Sequence, residues 1–485
     1  MVQSGKKLVE HKTWHKLNME TLQRTANRGS ISTGYNIDNS LKIEADNAET
    51  MQRTSGSIGT PTSTQKATIS AWVKRTELQS SGNGIVWIGN AGAVSTILGF
   101  NNDRLDANTS ISGGFNLKST PVFRDTSAWY HIVWAFDTTQ ATAANRVKLY
   151  VNGVQIEDFD TETYPNQNND IGLYEINMSH YIGWIDAQSQ SGYYAEIYLI
   201  DGQQLAPTDF GEFDDNSGIW KPKAYTGTFG NEGYYIDFED SSALGADVSG
   251  NSNNFTALYN ITAADQATDT PTNNFCTLNP IFAVNSSVGE LTISEGGTRA
   301  SNAESSYKFA TSTIGVTRGK WYWEVKATYV RTISTLGTTA PIYWEQGNIA
   351  FSGTVYYAQT GQRYNNSSAS SFGPAWGDGD IIAFALDMDA STPTLNVYKN
   401  NTSLGNLYSG LSLTGSGATY LPPVDDGYFI KLIGYSTNTF DVNFGGYTAA
   451  SISTPATDEN GYGTFEYAPP SGYYALCTKN LARFG

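Results

Sequence analysis

Apolar and polar residues alternate along this chain in short bursts, and no stretch longer than about ten residues keeps the 3.6-residue period of an amphipathic helix. Residues 129–153, WYHIVWAFDTTQATAANRVKLYVNG, carry the clearest pattern. Positions 129–136 are almost continuously apolar, which predicts a strand covered on both faces. Positions 146–151 alternate, with Val147, Leu149 and Val151 on one side and Arg146, Lys148 and Tyr150 on the other. Asn152-Gly153 then supplies the two positive-φ positions of a tight type I′ hairpin. These elements predict the central antiparallel part of a β-sandwich. Residues 67–74 (ATISAWVK) alternate as well, placing Ile69, Ala71 and Val73 on one face. Short buried strands are predicted at 85–88 and 181–184, and a longer one at 193–200 before the Asp201-Gly202 turn. Further on, GKWYWEV at 319–325 puts Trp321, Trp323 and Val325 on one face, and 395–401 forms a second hairpin.

The expected fold is therefore all-β: two antiparallel β-sandwich (jelly-roll-type) domains joined by a loop-rich connector. Residues 1–30 form a basic arm, 31–205 the first sandwich, 206–290 the connector, 291–446 the second sandwich and 447–485 an extended tail packed back on it. A chain of 485 residues is too long for one core, in agreement with this division. The net charge of −17 argues against a general nucleic-acid binder. The arm departs from the rest, because Lys6, Lys7, Lys12, Lys16, Arg24 and Arg28 outnumber Glu10 and Glu20. Docking onto an acidic partner and a solvated terminus both fit that composition. Cys276 and Cys477 lie too far apart in sequence for a disulfide scaffold and are expected to be free thiols of a protein folded in a reducing cytoplasm. The first residues lack the apolar core of a signal peptide, and no segment is expected to insert in a membrane.

Three resemblances add to this. The order aromatic-x-His-hydrophobic at 129–132 followed by LYVNG at 149–153 resembles the laminin-G/pentraxin (concanavalin A-like) family. From 319 onward the order GKWYWEV, GDGDIIAFALDMD, LNVYKNN and VNFG resembles the SPRY family, with Asn400-Asn401 in place of the usual Asn-Gly turn and an insertion at 391–393. Segments 207–230 (PTDFGEFDDNSGIWKPKAYTGTFG) and 269–280 (DTPTNNFCTLNP) resemble virion proteins of marine bacteriophages, as does the ending 465–485. The resemblance implies a virion structural protein assembled in the host cytoplasm. Its expected role is a tail fibre or receptor-binding appendage, homo-oligomeric on the particle, contacting other virion proteins through the arm and a host surface glycan or protein. A capsid decoration, collar or tail part without receptor binding is the alternative. No heptad shaft is present, which favours a short appendage over a long fibre.

Candidate chemistry is sparse. Asp158, Asp160 and Glu162 would share one face of a strand, about 7 Å apart, which suits glycoside hydrolysis. The segment also reads as a loop, and the chain is expected not to be an enzyme. Calcium is the one cofactor the loops could take, through Asp103, Asn169, Asp170 and Asp186. His11 and His15 offer two metal ligands without a third. His131 and His180 are expected in packed strands. Ligand contacts are expected from Tyr343, Trp344, Tyr356, Tyr357, Arg363, Tyr364 and Trp376, the residue types that anchor interfaces and stack on sugars.

Overall fold

The computed structural model describes residues 34–78, 82–90, 93–175, 177–183, 190–215, 217–281, 289–331, 334–339, 354–365, 368–408 and 428–485. His11, His15, Trp184, Asp186, Tyr343 and Trp344 lie outside these residues. The described chain is almost entirely strand and loop, built as two pairs of antiparallel sheets.

Sheet I runs in the order Val154–Gln155, Val147–Val151, Trp129–Asp137, Lys66–Arg75, Gly192–Asp201, Ser40–Ile43, Gln266–Ala267, with Tyr234–Ile236 also on Gly192–Asp201. Sheet II runs Phe159–Thr163, Asn116–Val122, Arg104–Thr109, Ala93–Asn101, Gly82–Asn90, Ser179–Ile182, Thr50–Arg53, Thr256–Leu258. Their facing sides meet in one core containing Leu41, Ile69, Ile132, Trp134, Leu98 and Leu117. Sheet III centres on Tyr307–Thr311, Phe429–Tyr435, Ser334–Thr339 and Thr354–Tyr357. Sheet IV centres on Asn438–Asn443, Lys320–Tyr329, Ile381–Asp387 and Thr394–Lys399. These two close on Trp321, Trp323, Val325, Leu336, Phe384 and Leu432.

The expected hairpins form. All nine residues of Trp129–Asp137 are buried, and Val147–Val151 alternates buried and half-buried. Asn152 and Gly153 take φ of 48° and 80°. Asn400 and Asn401 take 47° and 65°, so asparagine fills the left-handed positions at the second hairpin. Lys66–Arg75 differs from expectation, because its polar side is also buried: Thr68, Ser70 and Lys74 are inaccessible. What covers it is the segment read as a connector. The hairpin of Gly211–Phe213 and Trp220–Pro222 lies over the outer side of sheet I, with Phe210 packed on Val133, Ala135 and Tyr198. Tyr234–Ile236, Thr256–Leu258 and Gln266–Ala267 then join sheets I and II. Much of 206–290 thus completes the first sandwich.

Side chains replace ladder hydrogen bonds in this segment. Asp247 accepts from the backbone N–H of Tyr235, Ser249 and Asn253, while the Asn251 and Asn253 amides both donate to the Gly233 carbonyl. Past residue 268 the chain closes over Lys74. Its ammonium donates to Asp269 Oδ2 (2.6 Å), Asn274 Oδ1 (2.7 Å) and the Phe275 carbonyl (2.7 Å), so all three protons are used. The C-terminal segment, read as an extended tail, lies against sheet IV and does not stay extended to its end. Tyr474–Ala475 pairs parallel to Lys320–Tyr329, and the chain then turns into a short helix, Thr478–Phe484. Cys276 and Cys477 are both free and buried.

Candidate functional site

The outer side of sheet II carries the arrangement best suited to a ligand. Residues directly opposite in an antiparallel pair point to the same side. Register therefore places Gln52, Tyr181, Trp87, Ile97, Asn108 and Asn116 in one row crossing six strands. At the usual strand spacing that row spans about 24 Å. A second row beside it holds Asp106, Lys118 and Thr161. Alternation explains the placement, since Leu98, Leu105, Ala107 and Leu117 occupy the intervening positions and enter the core.

One end of this surface is apolar. Trp87 and Tyr181 pack with ring centroids 5.0 Å apart, both are buried, and Ile97 lies against them. The Gln52 amide donates to Tyr181 Oη at 2.7 Å. The other end is a linked set of polar groups. Asp106 Oδ2 accepts from the Asn108 amide (3.0 Å) and, more weakly, from the Asn101 amide (3.4 Å), while Lys118 Nζ donates to Asn101 Oδ1 (3.3 Å). Burial raises the Asp106 carboxyl above its ordinary range. Asn108 and Lys118 are half-buried and Asn116 is exposed. Amides, a carboxylate and an ammonium side by side offer both donors and acceptors at fixed positions, as a polyhydroxylated ligand requires. This surface was not anticipated from sequence. The alternation in NDRLDANTS and FNLKST was its signal, since it marks Asp106, Asn108, Asn116 and Lys118 as a polar side.

The residues expected to act fall elsewhere. In Phe159–Thr163 a bulge lies between Phe159 and Thr161. Asp160 pairs with Arg104 (3.1 Å), while Glu162 stands opposite the core residue Leu117, so the two carboxylates point to different sides. Asp158 precedes the strand. Both oxygens of Asp103 are held by arginine, Oδ1 by Arg75 (2.9 Å) and Oδ2 by Arg124 (2.8 Å). Asp170 instead accepts from Thr64 Oγ1, and Asn169 contacts Thr138 and Ser112. Arg75 ends Lys66–Arg75 and Thr64 precedes it, which separates Asp103 from Asp170 by about 30 Å of strand. The structure therefore does not bring the expected calcium ligands together. Among the described residues no group of three or more His, Cys, Asp or Glu is placed to hold a metal.

In the second sandwich, Tyr356 and Trp376 are core residues, at 0% and 5% exposure, and the Tyr356 hydroxyl donates to the Pro374 carbonyl. Tyr357 is buried with its ring 5.8 Å from Tyr364. Arg363 is half-buried and donates to Ser370 Oγ (3.0 Å) and the Leu407 carbonyl (3.2 Å). These five residues do not form one exposed cluster. His131 and His180 lie in packed strands as expected, each fully buried.

A family model described as the concanavalin A-like lectin/glucanases superfamily matches residues 26–191. That part of the chain carries a concanavalin A-like domain. A stretch of 111 residues is 31% identical to the E3 ubiquitin-protein ligase RKP of Arabidopsis thaliana. It covers 22% of this chain, which spans only 8% of that protein's length. Among solved structures, the SPRY domain of human HERC1 is similar at 16% identity, over 30% of this chain and 89% of that one, with a TM-score of 0.24. A SAP-like pentraxin from Limulus polyphemus is similar at 13% identity, over 35% and 78%, with a TM-score of 0.26. A candidate carbohydrate binding protein from Bacteroides ovatus is similar at 16% identity, over 46% and 60%, with a TM-score of 0.30.

Proposed function

We propose that the chain is a non-catalytic binding protein that recognises a glycan on the outer side of sheet II. The observation that carries this reading is the linked polar set of Asn101, Asp106, Asn108 and Lys118 beside the exposed Asn116 on that side of the sheet. The match of residues 26–191 to a lectin and glucanase superfamily supports it. The divergence of Asp160 and Glu162 favours binding over hydrolysis. The resemblance of 207–230, 269–280 and 465–485 to virion proteins extends the proposal: the glycan belongs to a bacterial surface, and the protein is a receptor-binding appendage on a phage particle. Titration of the purified chain against bacterial surface polysaccharides tests the reading. The expected result is saturable binding that Asn108→Ala and Lys118→Ala each weaken by about tenfold, roughly 1.4 kcal/mol. No binding to any polysaccharide, with the protein still assembling on particles, would refute it in favour of a purely structural part.

A further inference from the structure

Lys74 lies near the end of Lys66–Arg75, the middle strand of sheet I, and has no exposed surface. The two side chains that meet its Nζ are as deeply buried, Asp269 at 1% and Asn274 at 3% exposure. Aromatic rings wall the site. Trp129 and Tyr193 stand opposite Lys74 on the two neighbouring strands, and the Tyr193 ring centre is 5.7 Å from Nζ. Phe275 follows Asn274, and all three rings are buried.

Each partner is held in one orientation. Asp269 Oδ1 accepts from the Trp129 indole (3.0 Å) and the Phe275 N–H (3.3 Å), which leaves Oδ2 to face Nζ at 2.6 Å. The Asn274 backbone is fixed by Thr478, whose Oγ1 accepts from its N–H (2.9 Å) and whose N–H donates to its carbonyl (2.9 Å). The Asn274 side-chain nitrogen donates to the Ser127 carbonyl (2.6 Å), and Oδ1 faces Nζ at 2.7 Å. Oδ1 is one C=O bond, about 1.23 Å, from Cγ, so Nζ lies within about 3.9 Å of the amide carbon. A near-attack arrangement has its reacting atoms about 3–3.5 Å apart, a short movement from this one.

An amine, a carboxyl and a primary amide closed off from water supply the nucleophile, the proton carrier and the acyl group of an amide exchange. We propose that Lys74 and Asn274 join in a self-catalysed isopeptide bond, Nζ to Cγ, with Asp269 moving the protons. The ammonium gives one proton to Asp269 and becomes a neutral amine. Its lone pair attacks Cγ, and the carbonyl electron pair moves to Oδ1. Asp269 passes its proton to the departing nitrogen and takes one from the attacking nitrogen. The Cγ–Nδ2 bond then breaks, the carbonyl re-forms and ammonia leaves. The products are a secondary amide, ammonia and a protonated Asp269, so atoms and charge balance without another reactant. A buried ion pair is costly to hold, and the product site carries no charge. Burial already raises the Asp269 carboxyl above its ordinary range, toward the protonated form that the product keeps. The bond ties residues 200 positions apart, fastening the middle of sheet I to the segment that leaves the first sandwich.

The test is intact-mass spectrometry of the purified full chain under denaturing conditions, followed by a tryptic digest. The natural protein is expected to be lighter than its sequence by about 17 Da, one ammonia, and to give a branched peptide joining Lys74 to Asn274. The branched peptide distinguishes this bond from a succinimide, which loses the same mass but links no second peptide. Both signals should be lost in Lys74→Arg, in Asn274→Ala and in Asp269→Asn, the last of which keeps the shape of the carboxyl but cannot carry the proton. A natural protein of full sequence mass, with Lys74 and Asn274 on separate peptides, overturns the proposal whether or not the variants fold. A loss of about 18 Da, one water, with Lys74 joined to Asp269 also overturns it, because the carboxyl would then be the acyl group. A bond that persists in Asp269→Asn overturns the part assigned to Asp269.

Discussion

His131 is fully buried with its ring stacked between two indoles, 4.8 Å from Trp72 and 5.8 Å from Trp220. The Trp220 indole donates to Nδ1 at 3.0 Å, and an indole nitrogen can only donate. Nδ1 therefore carries no proton, and Nε2–H donates to Ser70 Oγ at 2.8 Å. Burial drives the imidazole down to about 3, far below its ordinary value near 6.5. The unfolded chain takes up this proton first, so the stability that the neutral ring contributes is full above about pH 6.5 and lost as pH falls toward 3. A nitrogen-detected NMR titration should show the His131 resonances constant from pH 8 to pH 5 in the Nε2–H tautomer. A midpoint near 6.5 would contradict this packing. The histidine was expected in a strand because its neighbours are apolar on both sides. Its partner could not be anticipated, since Trp220 lies 89 residues away.

The hairpin that delivers Trp220 matters at the scale of the element. Asn152-Gly153 could be read directly, because positive φ at two successive positions is a local demand that few residues meet. The ring of Trp220 then lies so close over Gly153 and Gly211 that a Cβ on either would approach it within 2.5 Å. Three-residue strands such as Trp220–Pro222 and Tyr234–Ile236 have no period to read, which is why 206–290 looked like a connector. The same limit misplaced site residues. Tyr356 and Trp376 have the composition of a binding surface, but only the register of sheet III and the packing of the core decide which way they point. Asp103 looked like a calcium ligand because its two arginines are 28 and 21 residues away. For the hairpin, Trp220→Ala should cost about 3–5 kcal/mol in denaturant unfolding, since it opens a cavity and leaves His131 Nδ1 without its donor. Trp220→Phe keeps most of the ring and should lose about 1–3 kcal/mol. Losses within about 0.5 kcal/mol for both would mean that the hairpin is a loose cover.

At the scale of the whole molecule, the strands contributed by 234–267 decide where the first sandwich ends. Ser40–Ile43 pairs with Gln266–Ala267 on one side and Gly192–Asp201 on the other. Gly192–Asp201 in turn changes partner at a bulge, where Glu196 takes φ of 52°. Before it the strand pairs with Ser40–Ile43 and beyond it with Tyr234–Ile236. The Glu196 carboxylate is buried and accepts from the hydroxyls of Tyr35 (2.8 Å), Tyr198 (2.6 Å) and Tyr235 (2.7 Å). A chain cut at residue 205 would lose Tyr235 from this carboxylate, Asp269 and Asn274 from the buried Lys74, and Glu232 from the buried Arg53. Breaking a single buried pair typically costs 3–5 kcal/mol, and two such losses approach the whole stability of a domain, about 5–15 kcal/mol. The fragment 34–205 should therefore fail to fold, whereas 34–281, which keeps each of those partners, should give a cooperative melt below that of the full chain. Circular dichroism and calorimetry on the two fragments check this. A cooperative transition in 34–205 would show that the strands after 205 are an attachment to a sandwich already complete without them.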